Sequence, residues 1–173
     1  MSNLIGRPDQ SEAAKYYFTY IDQAPGADAE ALLLTQVEDL AAFFSAISEE
    51  KSLHRYAPGK WSIRQVLNHI NDTERAFAFR ALWFARGFET PLPSYEQGTA
   101  ATGAEADRFS WAAHVEEFRC VRRSTISLFA NMPPEARMRR GIASGNPFTV
   151  RSLAWIIAGH AAHHSRILRE RYL

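Results

Sequence analysis

Apolar residues recur at three- and four-residue intervals in four stretches of the chain, roughly 28–50, 62–86, 110–131 and 149–171. A shorter aromatic stretch from Glu12 to Tyr20 precedes them. This spacing predicts helices, and no run alternates in the way a half-buried strand does. Glycine and proline gather between the stretches, at Pro25-Gly26, Pro58-Gly59, Gly87 to Gly103, Pro133-Pro134 and Gly141 to Pro147, which are read as joints. Two helix starts are marked. Ser62 opens Ser-Ile-Arg-Gln, so its hydroxyl can cap the Gln65 amide while Gln65 reaches back, with Trp61 and Val66 in staple positions. Thr149 can cap the last helix in the same way, with Phe148 and Leu153 as the staple; that helix would be about 35 Å long. Four long helices without a sheet make an all-α four-helix bundle, although the pattern leaves the packing order open.

The chain has 173 residues, of which 46% are hydrophobic and 23% charged. That is the makeup of one globular unit and excludes a disordered chain. No apolar run approaches the ~20 residues of a membrane span, and the N-terminus lacks a secretory signal, so the expected location is the cytoplasm, with no membrane partner. Cys120 is the single cysteine, which excludes an internal disulfide and a cysteine-built zinc site.

The net charge of +1 hides an asymmetry: residues 1–118 carry 10 basic and 17 acidic side chains, residues 119–173 carry 10 basic and 2 acidic. Either acidic and basic helices lie side by side and neutralise each other, or the arginines rim a site for an anionic small molecule. No nucleic-acid partner is expected, because the chain is nearly neutral and carries no helix-turn-helix, zinc-finger or RNA-binding signature.

Three histidines fall within five residues, His160, His163 and His164. At about 100° per residue, the apolar stripe of Leu153, Ile156, Ile157, Ile167 and Leu168 centres on His160 and His164 and leaves His163 at its edge. Two imidazoles one turn apart on an inward face can grip one transition-metal ion. A third ligand must come from another helix. His69 borders the stripe of the second long helix and projects toward Thr73 and Arg80, and three histidines would leave coordination positions open, as catalytic sites require. Asp72, one turn on, could orient a histidine or hold a water. Glu74 falls on the apolar side, where it could support the site or pair with an arginine across the bundle. His163 reads as a supporting or surface residue, His114 as an inward reserve ligand, and His54 as having no role. No GxSxG elbow, Walker loop, HExxH sequence or dinucleotide-binding glycine pattern is present.

The segments RYAPGKWSIRQVLNHINDTERAFAFRALWFARG, TPLPSYEQ and VRSLAWIIAGHAAHHSRILRERYL, in that order, resemble the DinB-like (DinB/YfiT-type) family of metal-dependent proteins. The resemblance implies an up-down-down-up bundle over residues 28–173, behind an N-terminal extension, residues 1–27, whose short helix packs on it. It also implies a metal held by one histidine of the second helix and two of the last, which by position are His69, His160 and His164. Relatives include transferases that attach low-molecular-weight thiols to electrophiles, a thiol-dependent isomerase and hydrolases. The expected activity is therefore thiol transfer or, second, hydrolysis on a small-molecule substrate, with zinc or nickel favoured, manganese as a further candidate, and an external thiol as co-substrate. Arg80 and Arg122 would stand near anionic groups of such a thiol. A homodimer is expected by the same resemblance, and Tyr16, Tyr17, Phe18 and Tyr20 could serve it or cover the bundle. The alternative is a non-catalytic bundle in which the metal staples two helices.

Overall fold

The computed structural model describes residues 4–173, so the first three residues of the expected extension lie outside the described residues. Six helices follow in order: α1 (Phe18–Ile21), α2 (Ala29–Ser45), α3 (Ile63–Ala85), α4 (Gln97–Ala104), α5 (Trp111–Ala130) and α6 (Val150–Arg171), with a hairpin of β1 (Arg140–Ala143) and β2 (Asn146–Thr149) before α6. The long helices α2, α3, α5 and α6 form the bundle. Both marked starts are real. Ser62 and Gln65 exchange side-chain and backbone hydrogen bonds, as do Thr149 and Ser152, so two otherwise unpaired amides are satisfied at each end.

Cross-helix pairs fix the topology. The Trp111 indole N–H, at the start of α5, donates to the Phe44 carbonyl at the end of α2, while Arg122 further along donates to Gln36 nearer the start, so α2 and α5 are antiparallel. Asn71 meets the His114 carbonyl and Glu74 meets Arg122, so α3 and α5 run parallel. Tyr172, capping α6, donates to the Trp61 carbonyl ahead of α3, making those two antiparallel. Gln36 donates to the Ala158 carbonyl and Arg169 lies over the Phe43 ring, so α2 and α6 are parallel. The bundle is up-down-down-up.

The core divides into two clusters. One, around Phe84, Phe129, Phe148, Leu153 and Trp155, includes Ile5 and Ile21 of the N-terminal segment; the other gathers Phe44, Ile63, Leu67, Phe118 and Leu168. The N-terminal residues are pinned to α6 where the Trp155 indole N–H donates to the Ile5 and Gly6 carbonyls. The charge asymmetry is largely resolved by pairing across the chain: Arg122 with Glu74, Arg137 with Glu30, and Arg151 with Glu12.

Three features depart from the pattern reading. The joint from Gly141 to Pro147, read as free of strands, lies within the hairpin of residues 140–149, whose two-residue loop of Ser144 (φ 52°) and Gly145 (φ 71°) has the double left-handed geometry that twisted hairpins favour. Four-residue strands interrupted by Pro147 are too short for alternation to register. The Gly87–Gly103 joint contains α4, a helix of small residues that buries little beyond Ala101. The aromatic stretch 12–20 is helical in the α sense only over Phe18–Ile21, and 3-10 turns occupy Gln10–Glu12 and Lys15–Tyr17.

Candidate metal centre

His69 lies two turns into α3, and His160 and His164 sit on successive turns of α6. Because α3 and α6 are antiparallel, the three rings converge. Nε2 of His69 is 3.1 Å from Nε2 of His160, and the His164 ring centroid lies 4.9 Å from that of His69 and 4.5 Å from that of His160. One ligand atom from each of the three lies within 4.8 Å of the others. Two nitrogens bound to one tetrahedral ion at ordinary Zn–N distances would stand about 3.3 Å apart, so the side chains suit a metal as they stand.

Electrostatics agrees with geometry. Burial pushes the His69 imidazole down to about 4, while burial and then the neighbouring rings push His164 down to about 3. His160, the deepest, is held well below the ordinary histidine value by burial and by His164, His69 and His163. All three are therefore neutral at pH 7, the state in which an imidazole presents a lone pair. The ring positions are fixed from outside: Thr73 Oγ1 lies 3.2 Å from His69 Nδ1, the Trp61 ring packs at 5.0 Å from His69, and the Tyr20 ring at 5.3 Å from His160.

His69 and His160 stand at one end of a cleft of about 280 Å³ that runs along α3 past Thr73 and Phe77 to Arg80 and Ser144, beneath Tyr17 and Tyr20. Tyr17 and Tyr20 thus act as a cover on the bundle. A cover was one of the two roles open to the aromatic stretch, and nothing in its spacing tied it to the histidines. Ser144, from the unforeseen hairpin, and Tyr95, from the long connection, could not be placed by periodicity at all.

The other candidate residues fall elsewhere. Asp72, expected to support the site, turns to Arg75 at 3.3 Å instead, because its position on α3 points toward α5. Glu74 holds Arg122 through a two-pronged ion pair, with Gln36 completing the guanidinium's contacts. Arg122 is fully buried in this set and does not line the cleft, which corrects the expectation that it meets an anionic ligand. Arg80 does line it. His163 lies outside the three-ring group, with Nδ1 3.0 Å from the Gln23 amide nitrogen. The reserve ligand His114 is likewise apart, bonded to the Ala106 carbonyl at 2.9 Å and 3.8 Å from Glu117. Cys120 is exposed. Among the described residues, no helix is long and apolar enough to cross a membrane.

Comparison with known proteins agrees with this architecture. The structure of YfiT from Bacillus subtilis, described as a probable metal-dependent hydrolase with an unusual four-helix bundle topology, superimposes with a TM-score of 0.71 at 16% identity, covering 94% of this chain and 89% of that one. No curated protein sequence matches. The model of the DinB superfamily matches residues 32–168, which takes in all four bundle helices but for the ends of α2 and α6, together with the three converging histidines. The chain belongs to the DinB superfamily.

Proposed function

We propose that the protein is a metal-dependent enzyme in which His69, His160 and His164 hold one divalent transition-metal ion for attack by a low-molecular-weight thiol, or by water, on a small electrophile. The observation that carries this reading is the convergence of three neutral imidazoles, two of which, His69 and His160, line an open cleft. When bound, such an ion lowers the pKa of a thiol or water enough to make it a nucleophile at neutral pH. The probable metal-dependent hydrolase assignment of YfiT supports metal dependence in general. Imidazole suits zinc and nickel alike, and manganese is the third choice.

The chain's own residues have distinct tasks. Thr73 Oγ1 faces His69 Nδ1, and when it accepts the Nδ1–H it leaves the Nε2 lone pair of His69 turned toward His160. Trp61 packs against the His69 ring and Tyr20 against the His160 ring. Thiol transfer is preferred to hydrolysis because the acids beside His69 on α3 are occupied, Asp72 by Arg75 and Glu74 by Arg122, which leaves Glu96 as the carboxylate on the cleft wall. Hydrolysis commonly needs a positioned carboxylate or histidine to move protons, whereas a thiol once deprotonated needs no further base. A purely structural metal is disfavoured because structural zinc sites normally close with four protein ligands and only three converge among the described residues.

Elemental analysis of untagged protein after reconstitution tests the first step, with about one ion per chain expected. Less than about 0.1 ion per chain would end the reading. Conjugation of a low-molecular-weight thiol to a model electrophile should then accelerate with the loaded protein and not with His164→Ala. A loaded protein that turns over neither thiols with electrophiles nor esters and amides would leave a non-catalytic metal-binding bundle.

A further inference from the structure

Four arginines are nearly inaccessible: Arg64 at 5%, Arg80 at 6%, Arg122 at 0% and Arg137 at 4% relative exposure. Three of them meet a carboxylate, Arg64 with Glu49, Arg122 with Glu74 and Arg137 with Glu30. Arg80 is the exception. Among the described residues no carboxylate lies within ion-pair distance of it, although Glu96 stands elsewhere on the wall of the same cleft. Its guanidinium donates to Ser144 Oγ at 2.8 Å and to the Pro93 carbonyl at 3.5 Å, and it lies 5.3 Å from the centre of the Phe77 ring. The remaining group facing it is the Tyr17 phenol, whose own pKa is raised by burial, so at pH 7 it brings no charge.

A buried cation without a counter-charge is costly, and proteins avoid one unless something else supplies the charge. This cation opens on the cleft that holds the histidines. His69, Thr73, Ala76 and Arg80 follow one another along one face of α3, and eleven residues of helix separate the α-carbons of His69 and Arg80 by about 16 Å. We propose that Arg80, with the hydroxyls of Tyr17 and Ser144, is the binding site for the carboxylate of an elongated small molecule whose other end reaches the three histidines. A planar guanidinium flanked by two hydroxyls matches one carboxylate in charge and in its paired oxygens. The inference rests on the cleft's being the substrate site, yet the arginine can be tested without metal.

The test is a nuclear magnetic resonance titration of metal-free protein, following the Arg80 Nε–Hε signal, with hexanoate, hexanol and inorganic phosphate as probes. Hexanoate should bind at least about tenfold more tightly than hexanol, the size of one good charge-assisted contact. Arg80→Gln should abolish that preference and Tyr17→Phe should weaken it, the second variant deciding the matter if the first fails to fold. Equal affinity for hexanoate and hexanol, or a preference that survives Arg80→Gln, would overturn the site. Tighter binding of phosphate than of hexanoate at Arg80 would overturn the carboxylate assignment. With zinc-loaded protein, 6-mercaptohexanoate should exceed both hexanoate and 6-mercaptohexanol in affinity. Failure to take up zinc while hexanoate still selects Arg80 would defeat the metal reading alone, and normal zinc uptake without carboxylate preference would defeat this inference alone.

Discussion

Gly159 lies directly against the backbone of Tyr20: a Cβ at position 159 would stand 2.0 Å from the Tyr20 carbonyl oxygen and 3.2 Å from the Ile21 nitrogen. Only a glycine lets α1 settle so closely on α6, one residue before His160. The cover over the cleft therefore depends on a missing methyl group in the helix that carries two of the histidines. Gly159→Ala should push α1 off α6 at a cost of about 1–3 kcal/mol, the usual range for overpacking a tight contact. Urea denaturation and tyrosine fluorescence would report it. Unchanged stability together with an unchanged Tyr20 environment would show that the close approach is unimportant.

The three converging histidines should be unequal to their neighbour. His160→Ala removes the most buried ring and is expected to weaken zinc binding by at least about 100-fold, since even outer contacts around a metal are commonly worth tenfold or more. His163→Ala, whose Nδ1 lies near the Gln23 side chain, should leave zinc stoichiometry as it is. Zinc competition with a chromophoric chelator measures both. Equal losses in the two variants would mean that the ion sits elsewhere.

The bundle was legible because its four long helices carry strong period-3.6 stripes and two of them announce their starts with capping boxes that the structure reproduces. His160 and His164 were legible for the same reason, since an i, i+4 pair on the buried stripe has to face inward. The direction of His69 toward Thr73 and Arg80 also followed from helical angle. Arg122 could not be judged that way. Its inward direction was right, but whether an inward arginine meets a ligand or an acid depends on which helix lies opposite, and the parallel neighbour α3 brings Glu74 there. Asp72 failed by rotation: three residues beyond His69 it points toward α5 and Arg75. The hairpin and the Ser94–Tyr95 connection were invisible because tertiary bonds, such as the Leu92 amide to the Ile142 carbonyl, hold them in place of any local repeat.

The Glu74–Arg122 pair offers a stability test. Both groups are almost wholly out of water, and Arg122 also donates to Gln36. Glu74→Gln leaves a buried guanidinium uncompensated and should destabilise the protein by about 3–5 kcal/mol. Replacing both partners, Glu74→Leu with Arg122→Met, should cost less than the single change, because no charge is then stranded. Thermal unfolding of the single and double variants decides it. A double variant less stable than Glu74→Gln would mean that the pair contributes through attraction beyond its desolvation cost.

The last test concerns pH. Hydrogen bonding to His114, aided by Arg75 and Asn71 against the cost of burial, holds Glu117 down to about 2 from an ordinary 4.5. For His114, burial alone would lower the pKa, but hydrogen bonds to Glu117 and the Ala106 carbonyl, with the Glu117 charge, outweigh it and raise the value above 6.5. The two shifts act on opposite sides. Glu117 contributes stability that is present above its unfolded pKa near 4.5 and is lost as pH falls toward 2. His114 contributes stability that is present below its unfolded value of 6.5 and is lost as pH rises through its raised folded value. Their joint contribution is thus largest between about 4.5 and 6.5. Glu117→Gln should flatten the pH dependence of stability at both edges of that window. It should also lower the His114 titration, followed by its ring proton resonances, because burial is then opposed by the Ala106 carbonyl without the help of the carboxylate. A His114 titration that does not move in this variant would show that its elevation comes from the Ala106 carbonyl and owes nothing to the carboxylate.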